Sequence, residues 1–136
     1  MKDIVTPVEY NGDCFFDYGM SPCGTKFYSR KRGPWQEISI SYPCKETNPS
    51  AYARICFSED GKKHTLLVHK AVLETLGDYF PIPKGVSEEV WEQTHYSVKN
   101  AMREIWQVNH KNRDVHDHHI DNLEYVTAKQ NQQHYQ

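Results

Sequence analysis

The sequence predicts an α+β protein with an N-terminal antiparallel β-sheet, a helical middle and a compact C-terminal unit of two strands and a helix. Three observations carry this. Runs of β-branched and aromatic residues separated by turn chemistry fill the first half. The apolar period becomes helical from about residue 69. A polar loop between two short strand candidates occupies most of the last 29 residues. At 136 residues the chain has room for one domain with a modest core and little for a second. Residues 1–136 are therefore expected to form a single compact domain, with a β-rich region 1–70, a helical region 71–107 and a terminal unit 108–136.

The strand candidates are "KFYSRKR" (26–32), "WQEISISY" (35–42), "AYARICFS" (51–58) and "KHTLLVH" (63–69), parted by "GP", "YPCKETNPS" and "EDGK". Asp60-Gly61 is a hairpin signal, because glycine accepts the positive φ that a tight hairpin turn demands. A sheet of three or four strands is expected. In "HKAVLETLGDYF", Ala71, Val72, Leu76 and Tyr79 fall at helical spacings, and Gly77 with Pro81 marks the stop. A second helix is expected from Ser87, an N-cap followed by Glu88 and Glu89, to about Trp106. Its stripe of Val90, Trp91, Val98, Met102, Ile105 and Trp106 suits a core or a partner surface, and a homodimer through 87–106 is the partner it suggests. The tail reads as strand "WQVNH", loop "KNRDVHDHHIDN", strand "LEYVT", and a helix opened by a Thr127/Gln130 capping box that sets Asn131 about one turn in.

Composition narrows the function classes. Hydrophobic residues at 38% and charged residues at 25% match soluble averages, and no apolar run reaches the roughly 20 residues of a membrane span. The opening "MKDIVTPVEYNGD" has no apolar stretch of the secretory kind, so an intracellular, cytoplasmic setting is expected. Cys14, Cys23, Cys44 and Cys56 form no CxxC pair and are expected to be reduced and half-buried. A net charge of −2 conceals an asymmetry: residues 1–23 carry −3, residues 24–70 carry +5 and residues 71–136 carry −4. A locally basic segment is what a polyanion meets.

Five of the eight histidines fall in residues 108–136, and three readings of that stretch compete. It is a solvated polar loop, or a zinc site of His116, His118 and His119 with Asp117, or a site built from the elements around the loop. In the third, His110 ends one strand, Asn122 begins the next and Asn131 lies on the helix, at spacings of 12 and 9 residues.

In "VNH", "DNLEYVT" and "AKQN", taken in that order, the chain resembles the HNH endonucleases, and specifically the HNH homing endonucleases encoded by phage introns. The similarity extends upstream to "YGMSPCGTKFYSRKR" and "YARICFSEDGKKHTLLVHKAV", leaving residues 84–106 as an insertion. The resemblance implies a C-terminal ββα-metal unit and a metal-dependent DNA endonuclease that nicks or cuts double-stranded DNA by phosphodiester hydrolysis. In a phage-encoded case it would act in the bacterial host cell. It implies His110 as general base and one divalent ion, Mg²⁺ or Mn²⁺ before Zn²⁺, held by Asn109 and Asn131. His134, on nearly the same helix face as Asn131, is a further candidate ligand, while Asn122 would pin the loop so that His110 is aimed.

Successive strand residues point to opposite faces, so Asn109 and His110 need a bend or bulge to serve one site. Many relatives carry Asp before the first His, whereas this chain has neutral Asn109, so tight metal binding is expected to need the DNA phosphate. His118 and His119 are expected to be loop or phosphate-facing residues, and His69 a structural hydrogen-bonding one. DNA contacts are expected from Lys26, Arg30, Lys31, Arg32, Arg54, Lys62 and Lys63, with two loop tips on phosphates. Such relatives often carry a C-terminal DNA-reading module; with the chain stopping at Gln136, specificity is expected to be lower or supplied by a dimer or partner. A non-catalytic nucleic-acid-binding protein of HNH fold and a zinc-stabilised interaction module are the alternatives.

Overall fold

The computed structural model describes residues 5–43, 52–77, 81–82 and 85–130. Four strands, β1 (Thr6–Tyr10), β2 (Asp13–Met20), β3 (Phe27–Ser29) and β4 (Gln36–Ile38), form an antiparallel sheet in sequence order. The first two were not among the strand candidates: Pro7, Asp13, Asp17 and Gly19 dilute their β-propensity. What makes them a hairpin is the turn, with Asn11 at φ 53° and Gly12 at φ 86°. The ladder shifts register between Pro7 and Val8, where proline cannot donate to the neighbouring strand. Two expected strands are shorter than their sequence runs. "KFYSRKR" is extended only over β3 before it turns, with the Gly33 amide on the Arg30 carbonyl, and "WQEISISY" only over β4.

Strands β5 (Arg54–Glu59) and β6 (Lys62–Leu67) make a separate hairpin through Asp60 (φ 53°) and Gly61 (φ 75°), as the Asp-Gly signal predicts. Its residues alternate strictly: Ile55 and Phe57 are buried, while Arg54, Cys56 and Ser58 face out. Tyr18 of β2 stacks on Phe57 with centroids 3.9 Å apart. Its hydroxyl accepts from the Ser58 amide (2.8 Å) and lies 3.1 Å from the Ser58 carbonyl, to which it donates. Backbone bonds between Ser41 and Arg54 add a second tie to the sheet segment.

Helix α1 (Val68–Leu76) packs on β1, buries Val68, His69, Ala71, Val72 and Leu73, and ends at Gly77, whose amide bonds the Leu73 carbonyl. Thr75 shields the β1 edge: its hydroxyl accepts from the Glu9 amide at 2.9 Å and donates to the Glu9 carbonyl. One core holds Val8, Phe15, Met20, Phe27, Ile55, Phe57, Leu66, Val72 and Leu123, so it joins the sheet, the hairpin, α1 and the C-terminal unit. The turn after β2 approaches α1 closely at Gly24, which has φ +80° and where a Cβ would stand 2.5 Å from Val72 Cγ1.

The single helix expected over 87–106 is broken. Helix α2 (Glu88–Gln93) starts at Ser87, whose hydroxyl caps the Val90 amide, and α3 (Tyr96–Ala101) follows, continued by a 3₁₀ turn Met102–Ile105. Local side chains outcompete the helix ladder at the join. The Thr94 hydroxyl donates to the Val90 carbonyl (2.7 Å), Thr94 itself is extended, and His95 Nδ1 accepts from the Ser97 amide. Of the apolar stripe only Trp91 is fully buried; Val90, Val98 and Ile105 are exposed.

Strands β7 (Gln107–His110) and β8 (Leu123–Val126) then pair antiparallel. After β8 the capping box closes reciprocally, the Thr127 amide on Gln130 Oε1 and the Gln130 amide on Thr127 Oγ1. Among the described residues no helix is long and apolar enough to cross a membrane. Cys14, Cys23 and Cys56 are free, the first two half-buried and Cys56 exposed, while Cys44 lies outside the described residues.

Candidate active site

The β7–β8 ladder is regular, pairing Asn109 with Glu124 and His110 with Leu123, and it contains no bulge. The bend expected at Asn109/His110 is therefore absent, and strand alternation sends the two side chains to opposite faces. Asn109 is buried beside its cross-strand partner and its Nδ2 donates to Glu124 Oε2 at 3.2 Å. That bond fixes which way the amide points, and Asn109 Oδ1 is left buried without a partner.

His110 has no exposed surface. Its ring lies 5.0 Å from the His69 ring of α1 and stacks, at 5.7 Å and 16°, on Tyr52. Neither of its nitrogens has a hydrogen-bond partner, and neither does His69 Nδ1. His69, expected to be a hydrogen-bonding structural residue, is buried with its Nδ1 unpartnered. Burial pushes the His110 pKa down to about 4, with Asp114 pulling it up and His118 pushing it further down. Burial, reinforced by His110, takes His69 to about 3. Both imidazoles are neutral near neutral pH.

The loop from Lys111 to Asn122 is held by a dense polar network. Asn122 Oδ1 accepts from the Asn112 amide (3.0 Å), and its Nδ2 donates to Asn112 Oδ1 (3.0 Å) and to the Asp117 carbonyl (2.8 Å). The Asn122 carbonyl accepts from the Lys111 amide. Asn112 Nδ2 donates to Asp117 Oδ2, and Arg113 adopts φ 67° to make the turn. Lys111, Asn112, Asp117, His119, Asp121 and Asn122 line a shallow, open cleft on the outer side of this loop.

His118 is not phosphate-facing. It is buried, with Nδ1 2.8 Å from the Gly24 carbonyl and Nε2 2.7 Å from the Tyr42 hydroxyl. A carbonyl only accepts, so Nδ1 carries the proton and Nε2 takes the tyrosine hydrogen. Burial lowers the His118 pKa, which keeps this neutral tautomer. With both nitrogens committed, His118 cannot join His116 and His119 around zinc. Among the described residues no group of three His, Cys, Asp or Glu is placed to hold a metal. The Ile120 amide bonds the Cys23 carbonyl, so loop and β2–β3 turn are tied twice. His119 stays partly exposed, its Nδ1 capping the Asp121 amide.

Of the expected ligands, Asn131 and His134 lie outside the described residues. The expected DNA-contacting cations are all exposed, and the fold gathers some of them. Lys31 Nζ donates to the Ser58 carbonyl, and Ser58 pairs with Lys63, so the Arg30–Gly33 turn and the β5–β6 hairpin meet. Arg30 lies over the Trp35 ring at 4.8 Å, Arg54 sits on the same hairpin face, Lys62 marks the hairpin tip, and Lys26 and Arg32 flank β3. Sequence reasoning passed over Glu124 and Tyr52. A cross-strand or ring-on-ring partner becomes visible only once register and packing are set.

No protein-family model matches the chain, and no curated protein matches it. Among solved structures its fold is similar to that of the HNH homing endonuclease I-HmuI, solved in a study of DNA binding and cleavage by that enzyme. The TM-score is 0.53 and the identity 24%, over 85% of this chain and 49% of that one. The chain thus spans about half the length of that structure. The HNH-type α+β fold that the sequence motifs imply is the fold the chain has.

Proposed function

We propose that the chain is a metal-dependent DNA endonuclease of the HNH type, hydrolysing phosphodiester bonds in double-stranded DNA. The observation that carries this is His110, a neutral imidazole at the end of β7 beside a loop that Asn122 holds by three side-chain bonds. A neutral imidazole accepts a proton, so His110 is the general base for a water attacking the scissile phosphate.

The orphaned Asn109 Oδ1, buried and oriented by Glu124, is the kind of hard oxygen a divalent cation takes, and the similarity supplies Asn131 as its companion; because β7 carries no bulge, Asn109 and His110 serve one phosphate in this reading only when the strand end bends on binding DNA. Asn109 and Asn131 would hold Mg²⁺ or Mn²⁺ there, and a bound ion would supply positive charge to the phosphate and to the leaving 3′ oxygen. Asn122, its amide spent on the loop, positions and does not ligate. Lys31, Lys63 and Arg54 hold the duplex by its phosphates, with Lys26, Arg30, Arg32 and Lys62 around them.

Supercoiled plasmid incubated with the protein and Mg²⁺, Mn²⁺ or EDTA, beside a His110→Ala variant, tests this. Metal-dependent relaxation or linearisation, lost in the variant, is the expected result. One observation favours a second reading, a DNA-binding protein that keeps the fold without cutting: His110 has no exposed surface. Binding without cleavage in every metal would establish it.

A further inference from the structure

His110 is wholly enclosed, yet a general base works only where water reaches its lone pair. Among the described residues two aromatic rings lie on it. The His69 ring, at 5.0 Å, belongs to the buried face of α1. The Tyr52 ring runs nearly parallel to His110, at 5.7 Å and 16°, and also reaches His69 at 4.4 Å. Tyr52 is half-exposed and belongs to no strand or helix, so of the two rings it is the one that can move. The backbone beside it is anchored: Ala53 is buried, its carbonyl accepts from the Val68 amide, and Arg54 bonds Ser41 in both directions. Opening is therefore the swing of one side chain.

The polar surroundings of His110 favour such a swing. Asp114, Asp117, His116 and His118 act on its ring through space, but neither ring nitrogen is hydrogen-bonded, and His69 Nδ1 has no partner either. Buried polar atoms are nearly always satisfied, so a closed state that leaves three nitrogens dry gives up their bonds to water. Admitting water restores those bonds and offsets the ring contacts that Tyr52 loses. We infer that Tyr52 is an autoinhibitory cap over His110, shut in the state described and swung aside to admit the attacking water. This rests on the reading of His110 as general base, and it reconciles an enclosed base with a hydrolytic reaction.

The test is diethyl pyrocarbonate modification of the full chain near neutral pH, read histidine by histidine by peptide mass spectrometry. Partly exposed His119 and buried His118 serve as internal references. In the parent and in Tyr52→Phe, which keeps the ring, His110 is expected to react at least about tenfold more slowly than His119, the mark of an open state populated to about 10% or less. In Tyr52→Leu, and further in Tyr52→Ala, the His110 rate is expected to climb towards that of His119 while His118 stays slow. On plasmid, kcat/KM is expected to rise in Tyr52→Ala by up to about tenfold, because the closed fraction no longer subtracts from the competent one. Fast His110 modification in the parent, or an unchanged slow rate in Tyr52→Ala, overturns the proposal. So does an accessible His110 whose kcat/KM does not rise in a parent that cuts. Equal acceleration of His110 and His118 in both variants overturns it too, since Tyr52 would then be a packing residue only. If the parent cuts no DNA, the general-base reading fails, and the modification rates still decide whether Tyr52 covers His110.

Discussion

The Lys31 ammonium donates to the Ser58 carbonyl, so the turn after β3 and the β5–β6 hairpin, 27 residues apart in the chain, present one basic surface. Ser58 pairs with Lys63, and Arg54 lies on the same face of the hairpin. If this surface neutralises phosphates, Lys31→Ala with Lys63→Ala should weaken duplex binding and reduce the slope of log K against log salt by about 2. Fluorescence anisotropy between about 50 and 200 mM KCl checks it. An unchanged slope removes both residues from the interface.

Asn122 makes three side-chain hydrogen bonds, all to the loop it closes. Asn122→Ala should therefore cost about 1–3 kcal/mol of stability and lower the cleavage rate further than the fraction unfolded explains. Urea melts beside initial rates separate the two effects. Stability lost with full specific activity in the folded fraction would make the pinning irrelevant to cleavage.

His69 and His110 are held neutral by burial, with pKa values of about 3 and about 4. In the unfolded chain both titrate near 6.5, so between about 6.5 and 4 the unfolded state binds more protons and stability falls as pH falls. At pH 5.5 His69 alone should cost about 1.4 kcal/mol relative to neutral pH, and His110 and His118 act in the same direction. Urea midpoints that stay level from pH 7.5 to about 5.5 would contradict the burial of all three.

Glu124 bonds Asn109 Nδ2 and brings a carboxylate to the place where Asn109 is neutral. Glu124→Gln keeps an acceptor oxygen and removes the charge. With duplex DNA and a non-cleaving His110→Ala background, Mn²⁺ affinity followed by EPR should fall about tenfold or more, about 1.4 kcal/mol. Equal affinity in both chains would show that the carboxylate does not act on the ion.

What the sequence discloses are features decided within a few residues. Asp60-Gly61 and the Thr127/Gln130 box are local chemistry, and each appears where it was expected. The general shape of the C-terminal unit is of the same kind, two short strands around a polar loop. Features that depend on distant partners stay hidden. Nothing near His118 announces Gly24 and Tyr42, and the helical periodicity around His69 says only that it faces inward. The broken helix marks an intermediate case: the apolar stripe spoke for continuity, and the Thr94–Ser97 side chains, polar and able to bond the backbone, decided otherwise.

The double tie of His118 and Ile120 to the β2–β3 turn bears on portability. A segment cut out at β7 and grafted elsewhere would leave Leu123 without its share of the common core and His118 without either partner. The β7–β8 hairpin is thus a tenant of the N-terminal sheet. Transplanting it to another scaffold should require carrying the Ser21–Thr25 turn and α1 along with it.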